Sequence, residues 1–353
     1  MADIKHSEHH LEFGIFDSVE WGEEPAPDIY ERRFKMAEFA DENDFFCFHL
    51  VEHHTSPLCI APSPGIFLAA LAQRTKRIRL GTLGFLLPFH NPLRLYHEIC
   101  MIDNMCQGRL ELGFARGIVP MEAERFGLPD DEGRKDMMRE ALDVLVTAFN
   151  NDVLDFEGKY YNYSGIRLWQ KPYQKPYPPL WYPTANISNV PWAAQAGFNT
   201  CGIIETAKEY RELFDLYKKL WAEHKNDPNR LNQHVASPKI GLARNVYVAA
   251  KDEVALKDAR EAHKSWREHV GFLFDEANIQ IEVLDRLSDF DQLIEDEVFI
   301  VGSPESVRKQ IDHTVEDSGI NYFNCLFAFG TLSHEQVMNS MGFFTREVMP
   351  AFK

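Results

Sequence analysis

Three ionisable residues, Glu52, His53 and His54, follow directly on an apolar run in the sequence FFCFHLVEHH. The run at residues 45–51 is almost continuously apolar, which predicts a parallel strand buried on both faces. Active sites of α/β barrels are built where such strands end and the following loops begin. Imidazole suits proton transfer there because its ordinary pKa lies near neutral pH. The pattern therefore indicates a candidate active site, although a buried hydrogen-bonded cluster without a catalytic role also fits it.

The elements around this stretch alternate between strands and helices. We predict eight strands, at residues 11–16, 45–51, 76–87, 108–115, 180–184, 198–204, 240–249 and 321–329. Strands and helices that alternate at short spacing require parallel strands joined by crossover helices. Eight such units predict an α/β fold of the (β/α)8 TIM-barrel class. Gly81 and Gly84 in the third strand suggest that another group approaches the backbone closely.

We expect a single domain over residues 1–353, because no repeat, low-complexity tract or linker interrupts the chain. Two segments depart from the barrel pattern. Residues 151–179 are rich in aromatic residues and proline, which predicts a hairpin excursion on the barrel rim. Residues 271–297 fit neither the helical nor the strand period. Such a segment is either a disordered insertion or a lid over the barrel mouth.

The composition excludes several classes of partner. The chain is 45% hydrophobic and carries a formal net charge of −17, which argues against nucleic acid and anionic membranes. Its six cysteines are scattered without a C-x-x-C pair, as is typical of a reducing compartment. The N-terminal residues lack the apolar core of a secretory signal, and no apolar stretch has membrane-spanning length. We therefore expect a cytoplasmic protein.

Several motifs, in order along the chain, resemble those of the bacterial luciferase-like family of flavin-dependent monooxygenases. They are LVEHHT at residues 50–55, LGTLGFLLPFHNPLR at 80–94, GRLELGFARG at 108–117, WAAQAGF at 192–198, VGSPESV at 301–307, DSGINYFNCLF at 317–327 and EVMPAFK at 347–353. Each motif is weak alone, whereas their common order indicates the family and its fold. The resemblance implies a luciferase-like TIM barrel that binds FMN at its C-terminal mouth.

The resemblance also implies a reaction. Reduced FMN (FMNH2) reacts with O2 to give a flavin C4a-(hydro)peroxide, which inserts one oxygen atom into a small organic substrate. The cofactor supplies this chemistry, and the protein supplies orientation, protons and exclusion of water. No G-x-G-x-x-G fingerprint follows a strand. We therefore expect a two-component system, in which a separate NAD(P)H:flavin reductase delivers FMNH2.

Individual residues take expected roles from the resemblance. His53 aligns with the proposed catalytic base of the family, with Glu52 and His54 as candidates for supporting it. Leu83–Gly84 aligns with a non-proline cis peptide that packs behind the flavin ring. Ala115 stands where luciferase has a reactive cysteine, and this departure argues against light emission from a long-chain aldehyde.

For the cofactor phosphate, the resemblance implies Arg116 together with three residues before the WAAQAGF helix: Asn186, Ser188 and Asn189. A guanidinium can bind phosphate through two parallel hydrogen bonds. Short polar side chains at a helix N-terminus also favour anions. The sequence departs from luciferase here, since Ala185 replaces a glutamate and both asparagines replace hydroxyl residues.

Three alternatives stay open at the level of sequence. Related barrels use a deazaflavin to transfer hydride without oxygen, and a non-catalytic flavin-binding relative would keep the same motifs. A metal-dependent hydrolase would need His53, His54 and His90 to meet at the mouth. Such barrels usually present His-x-His from one strand, and this chain has no such pair there, so we expect no metal site.

Two helices predict the assembly. Those at residues 65–74 and 92–105 carry more apolar residues than one barrel-facing stripe requires. Apolar patches of this kind mark interfaces, and the resemblance implies that two barrels pair through these helices about a two-fold axis. We therefore expect a homodimer. The alternative is that the N-terminal segment and the rim excursion bury both helices.

Overall fold

The computed structural model describes residues 11–352. Residues 1–10 and residue 353 lie outside the described part. The expectation about a secretory signal concerns residues 1–10. The strands within it are β1 (Glu12–Asp17), β2 (Cys47–Leu50), β3 (Arg79–Thr82), β4 (Phe85–Leu86), β5 (Leu110–Ala115), β6 (Val153–Glu157), β7 (Asn162–Arg167), β8 (Leu180–Trp181), β9 (Thr200–Gly202), β10 (Ile240–Val248), β11 (Phe299–Gly302) and β12 (Tyr322–Leu326).

The α-helices alternate with these strands. They are α1 (Ala26–Glu42), α2 (Pro64–Arg74), α3 (Pro92–Met105), α4 (Pro120–Arg125), α5 (Asp131–Asn150), α6 (Val190–Ala196), α7 (Ala207–Glu223), α8 (Asp252–Glu276), α9 (Glu282–Arg286), α10 (Phe290–Glu295), α11 (Pro304–Ser318) and α12 (His334–Phe343). Among residues 11–352, none of these helices combines the length and the apolar character that a membrane span requires.

Eight of the strands close into a parallel barrel. In ring order they are β1, β2, β3, β5, β8, β9, β10 and β12, and β12 pairs back with β1. The link between β8 and β9 is a single parallel bridge from Trp181 to Asn199. This closure confirms the predicted luciferase-like (β/α)8 TIM barrel. It also places the ends of all eight strands, and the loops after them, at one mouth.

Side chains rather than solvent fill the barrel interior. Gly14 has no side chain because a Cβ there would lie 1.7 Å from the hydroxyl oxygen of Tyr322. That hydroxyl lies 3.1 Å from Nε2 of His49, and burial lowers the pKa of His49 to about 3. Trp181 Nε1 donates to Glu111 at 2.5 Å, and burial raises the pKa of Glu111. The floor of the barrel is thus a packed polar layer below the mouth.

Three strand and helix assignments from the sequence need correction. The predicted strand 76–87 is two strands, β3 and β4, separated at Leu83–Gly84. Strand β11 was not predicted, because its four residues are too few to display a period; it pairs with the second half of β10 outside the barrel ring. Residues 271–297 are largely helical rather than irregular, since α8 continues to Glu276 and α9 and α10 follow.

The excursion at residues 151–179 contains the predicted hairpin. Strands β6 and β7 pair antiparallel, with Val153 opposite Arg167. The hairpin packs outside the helical layer, because the backbone N–H groups of Tyr160 and Tyr161 both donate to Glu140 of α5 at 2.7 Å. The chain after the hairpin contacts α3, where Tyr96 donates to the carbonyl of Gln170.

Helices α2 and α3 expose a smaller apolar surface than the sequence suggested. Ile99 and Ile102 of α3 are fully buried in the core of the protomer. Ile66 of α2 remains 74% exposed, and Met101 and Met105 of α3 remain 47% and 44% exposed. An apolar surface therefore persists on these helices, but it consists of these three side chains rather than of the buried isoleucines.

Candidate functional site

His53 lies at the barrel mouth and is held by a buried carboxylate. Its Nδ1 lies 3.0 Å from Oε1 of Glu122, which belongs to α4 and is 1% exposed. The same oxygen accepts the backbone N–H of His54 at 2.9 Å. Since a carboxylate oxygen accepts, Nδ1 carries the proton and Nε2 has the free lone pair. Nε2 makes no hydrogen bond within residues 11–352, and the His53 ring is partly exposed, so it is available to a substrate.

Glu52 forms the centre of a second buried cluster. Its carboxylate contacts Nε2 of both His54 and His90 at 2.9 Å and accepts the backbone N–H of Leu86 at 2.9 Å. Burial alone would raise the pKa of Glu52, but these hydrogen bonds outweigh it and lower that pKa. Burial alone would lower the pKa of His90, but the contact with the Glu52 carboxylate outweighs burial and raises that pKa. The cluster ties the loop after β2 to the segment that follows β3.

His54 packs as part of the wall. Its ring stacks on Phe89 at 5.2 Å and tilts against Phe126 at 4.7 Å between ring centroids. The sequence placed Glu52 and His54 beside His53 as supporting candidates, and the structure gives both a buried, hydrogen-bonded position. His53, His54 and His90 do not converge on one point, because the first binds Glu122 and the other two bind Glu52. Within residues 11–352, no group of three or more His, Cys, Asp or Glu side chains is arranged to hold a metal ion.

The Leu83–Gly84 peptide bond is cis, as the resemblance implied. Leu83 is buried among the interior side chains of the barrel. A Cβ at Gly84 would lie 2.4 Å from the backbone nitrogen of Phe114, so only glycine fits against β5. This glycine contact explains the close backbone approach that the sequence indicated, because the approaching group is the backbone of β5.

Arg116 follows β5 and is paired with a second arginine that the sequence analysis did not find. Its Nε lies 3.0 Å from Oδ1 of Asp131, the first residue of α5. Arg134, one helical turn later and almost fully buried, places Nη2 3.1 Å from the same oxygen. The Nε atom of Arg134 is buried without a hydrogen-bond partner in the described structure. The two arginines form a cationic pair that shares one carboxylate oxygen.

Asn186, Ser188 and Asn189 form one short turn before α6, as predicted. The side-chain oxygen of Asn186 accepts the backbone N–H of Ser188 at 2.9 Å. Asn189 is buried, whereas Asn186 and Ser188 are exposed. The oxygen of Asn186 is therefore occupied by the turn, which leaves its amide N–H groups for other partners.

Tyr182 connects this turn to the cationic pair. Its ring lies 5.0 Å from the ring of Trp192, which belongs to α6. Burial raises the pKa of Tyr182, and the nearby guanidinium groups of Arg116 and Arg139 oppose that rise. Arg139 also lies over the ring of Trp192 at 5.0 Å. Arg116 and the start of α6 therefore flank the same pair of aromatic rings.

The end of α8 contacts α4, which carries Glu122. Leu273 and Phe274 pack against Val119 and Met121. Arg125 of α4 forms an ion pair with Glu276 of α8, and the same guanidinium donates to the hydroxyl of Thr55 at 2.6 Å. These contacts place the end of α8 against α4 and beside the loop that begins at His53.

A buried pair fastens α8 to the loop after β1. His269 Nδ1 lies 2.9 Å from Oε2 of Glu20, and the same oxygen accepts the backbone N–H of Gly330 at 3.1 Å. Three buried polar atoms have no hydrogen-bond partner in the described structure: the other carboxylate oxygen of Glu20, the hydroxyl oxygen of Ser18 and the amide nitrogen of Asn245. These three buried polar groups lie towards the carboxyl ends of β1 and β10. No sequence motif contains them, so sequence reasoning missed them.

A bound FMN fits the residues around the mouth. Its phosphate needs cationic donors, which Arg116 and Arg134 offer, and the Nε atom of Arg134 is buried without a hydrogen-bond partner in the described structure. Its flat ring needs a backbone surface to lie against, and the cis Leu83–Gly84 peptide lies at the barrel mouth.

Comparison with known proteins gives a consistent result. A profile of the luciferase-like monooxygenase family matches residues 11–322. Protein y4wF of Sinorhizobium fredii is 34% identical over 322 residues, which cover 91% of this chain and 92% of that protein. The oxygenase component of flavin-dependent trigonelline monooxygenase from Acinetobacter baylyi is 28% identical over 336 residues, with 92% and 90% coverage.

Solved structures share the fold across nearly the whole chain. The monooxygenase RslO1 from Streptomyces bottropensis superposes with a TM-score of 0.83 at 25% identity and covers 97% of this chain and 100% of its own. The oxygenating constituent of 3,6-diketocamphane monooxygenase from Pseudomonas putida, solved with FMN, has a TM-score of 0.79 at 21% identity, with 97% and 98% coverage. An F420-dependent secondary alcohol dehydrogenase has a TM-score of 0.73 at 18% identity, with 97% and 99% coverage. The last two likenesses concern the fold alone.

Proposed function

Since the chain belongs to the luciferase-like, flavin-dependent monooxygenase family, we propose that it is an FMNH2-dependent monooxygenase of the two-component type. It inserts one oxygen atom of O2 into a small organic substrate. One observation carries the proposal: His53, oriented by Glu122, presents a free Nε2 at the same mouth as the cis Leu83–Gly84 bond and the arginine pair. A base, a flat backbone surface and a phosphate-binding pair are what such a reaction requires.

The arginine pair supports FMN as the cofactor. Arg116 and Arg134 are the proposed main ligands of its phosphate, because charge-assisted hydrogen bonds to phosphate are the strongest available to a protein. Asn186, Ser188 and Asn189 are proposed to add amide, hydroxyl and backbone donors from the neighbouring turn. Leu83 and Gly84 are proposed to support the flavin ring.

The protein's own groups manage protons and water. Reduced flavin supplies the two electrons with which O2 yields one oxygen atom to the substrate and one to water. His53 is the proposed catalytic base. When it accepts a proton at Nε2, the Glu122 carboxylate beside Nδ1 stabilises the resulting imidazolium. Glu52 keeps the loop that bears His53 in place through His54 and Leu86.

Residues 271–297, together with the end of α8, are the proposed lid. Their packing on Val119 and Met121 and the Glu20–His269 pair bring them over the mouth. Closure excludes water, which would otherwise divert reduced oxygen to hydrogen peroxide. Ser18 and Asn245, whose polar atoms lack partners, are candidates for contacts with the organic substrate.

The proposed partners follow from the same family. A relative is itself named as an oxygenase component, which supports a separate NAD(P)H:flavin reductase as the source of FMNH2. The exposed Ile66, Met101 and Met105 support a homodimer through α2 and α3. All six cysteines are free, buried thiols, which suits a cytoplasmic location.

A deazaflavin-dependent hydride transfer is the second candidate, because an F420-dependent dehydrogenase shares the fold. Reconstitution separates the two functions. Photoreduced FMN should support oxygen uptake coupled to product from a panel of aldehydes, ketones, terpenes and heteroaromatic compounds. Turnover with reduced or oxidised deazaflavin under anaerobic conditions would favour the second function, and tight flavin binding without any turnover would indicate a non-catalytic relative.

A further inference from the structure

One carboxylate oxygen serves both arginines of the cationic pair. Oδ1 of Asp131 lies 3.0 Å from Arg116 Nε and 3.1 Å from Arg134 Nη2. Arg134 is 5% exposed and Arg116 is 27% exposed, whereas Asp131 is 51% exposed. A half-exposed carboxylate therefore offsets part of the charge of two more deeply placed cations, in the position where an incoming anion would bind them.

We propose that Asp131 lowers the affinity of this site for FMN by competing with the cofactor phosphate for Arg116 and Arg134. The inference rests on the proposed function, in which these arginines bind that phosphate. A phosphate monoester carries a charge of about −1.5 to −2 at neutral pH, so it displaces a single carboxylate, whereas a neutral ligand has no means of doing so. Asp131 thereby weakens the binding of the phosphate end and keeps FMN exchangeable, as a flavin supplied by another protein must be.

The local structure allows Asp131 to leave the pair at little cost. Asp131 is the first residue of α5, and a carboxylate in the first turn is stabilised by the helix dipole even without an ion pair. The helix does not depend on it for a cap, because Asp130 caps it by accepting the N–H of Gly133 at 2.9 Å. Arg134 also stays anchored without it, since Nη1 donates to the carbonyl of Pro129 at 2.9 Å.

The same turn provides a matched control. Glu132 is the next residue of α5, is 80% exposed and pairs with Lys135 at 3.8 Å rather than with either arginine. Glu132→Gln removes the same unit of charge from the same helical turn. A long-range effect of net charge would appear in both variants, and a local competition would appear only in Asp131→Asn.

The test is titration of Asp131→Asn, Glu132→Gln, Arg116→Ala and wild type with oxidised FMN, riboflavin and inorganic phosphate. Binding of the flavins is followed by fluorescence, and phosphate is measured by its displacement of FMN. Asp131→Asn should bind FMN about two- to fivefold more tightly, the range expected for loss of a half-exposed ion pair. It should bind phosphate more tightly by a similar factor and riboflavin as the wild type does. Glu132→Gln should change FMN affinity by less than about twofold.

The outcomes distinguish a failure of this inference from a failure of the proposed function. If Arg116→Ala fails to weaken FMN selectively over riboflavin, the phosphate lies elsewhere and the proposed cofactor site fails. If Arg116→Ala does weaken FMN but Asp131→Asn leaves FMN binding equal or weaker, Asp131 orients the arginines instead of competing, and this inference is overturned. Equal tightening of FMN and riboflavin also overturns it. Thermal unfolding of each variant establishes that the chains compared are folded.

Discussion

Nδ1 of His53 lies 3.0 Å from Oε1 of Glu122, a residue that is 69 positions further along the chain. The two meet because His53 follows β2 whereas Glu122 lies on α4, which follows β5 at the same mouth. The carboxylate is buried and also accepts the His54 N–H, so its position is fixed from two directions. An imidazole held in this way is oriented before any ligand arrives, and this is the basis of the first two predictions.

Replacing His53 by alanine should separate flavin binding from product formation. His53→Ala lacks the base but leaves the arginine pair and Gly84 unchanged, so FMN affinity should stay within about twofold. Product formation should fall about 10²- to 10⁴-fold, the usual contribution of a general base, with hydrogen peroxide released instead. Oxygen uptake and product are measured together. Wild-type coupling in this variant would remove His53 from the mechanism.

Replacing Glu122 by glutamine tests whether Glu122 acts through His53. Glutamine keeps the shape and an accepting oxygen but removes the charge that stabilises protonated imidazole. We expect kcat to fall about 10- to 100-fold, equivalent to one charge-assisted hydrogen bond, with little change in KM for FMNH2. When Glu122→Gln is combined with His53→Ala, it should cause no further fall in kcat, because the double variant has no imidazole ring to orient. Glu124→Gln, on the exposed side of the same helix, is the control and should be unaffected.

The main features of the fold were predicted from the sequence, because a parallel strand that is covered on both faces must be apolar along its length. At residues 240–249 the apolar residues on either side of Arg244 and Asn245 predicted the strand, and the observed β10 is Ile240–Val248, with every residue buried. Strand β11 was missed because four apolar residues carry no period. The helical nature of residues 271–297 was missed because charged residues interrupt the apolar stripes of α9 and α10.

The site was only partly predictable. His53, Arg116 and the cis Leu83–Gly84 bond lie in family motifs. These motifs can be recognised from the sequence because they follow one another in the family's order. Glu122 and Arg134 do not, because a carboxylate or a guanidinium on a helix looks like any solvated side chain until the fold brings it to a partner. Their role depends on tertiary contacts, which a single sequence does not display.

Glu52 should make the stability of the protein depend on pH. Its pKa is lowered from its ordinary 4.5, so its contribution is present above pH 4.5 and is lost as the pH falls through the lowered value. The pKa of His90 is raised from 6.5, so its contribution is present below pH 6.5 and is lost as the pH rises through the raised value. The stabilisation by this cluster is therefore largest between pH 4.5 and 6.5.

The variant that tests this is Glu52→Gln. It should lower the free energy of unfolding by about 3 kcal/mol, as is typical when one partner of a buried charged pair is removed. Urea unfolding of wild type and variant from pH 4 to 8 measures the difference. A difference that stays constant over this range would show that the Glu52–His90 contact does not titrate as described.

Arg116→Ala should weaken FMN far more than riboflavin, because only FMN offers the guanidinium a phosphate. Losing the charge-assisted contact should cost about 1.5–3 kcal/mol of binding free energy. Isothermal titration with the two oxidised flavins measures both affinities under the same conditions. Equal losses for FMN and riboflavin would show that Arg116 does not bind the phosphate.

The homodimer is tested at the exposed apolar side chains. Ile99 and Ile102 are unsuitable targets, because both are buried in the protomer and a charge there would disrupt the core. Ile66→Glu combined with Met101→Glu should instead convert a dimer into a monomer of 40.8 kDa in sedimentation velocity. Val254→Glu, on an apolar residue of α8 that is 47% exposed, is the control and should leave the assembly unchanged. A wild type that sediments as a monomer at micromolar concentration would contradict the proposal.

The central claim is that FMNH2 and O2 act together at this mouth, and isotope labelling tests it most directly. The protein, photoreduced FMN and ¹⁸O2 are combined with the panel of organic compounds, and products are examined by mass spectrometry. The proposed function predicts a product that contains one labelled oxygen atom, formed with FMNH2 and strongly reduced when His53 is replaced by alanine. A product that forms anaerobically with the deazaflavin and carries no label would contradict it.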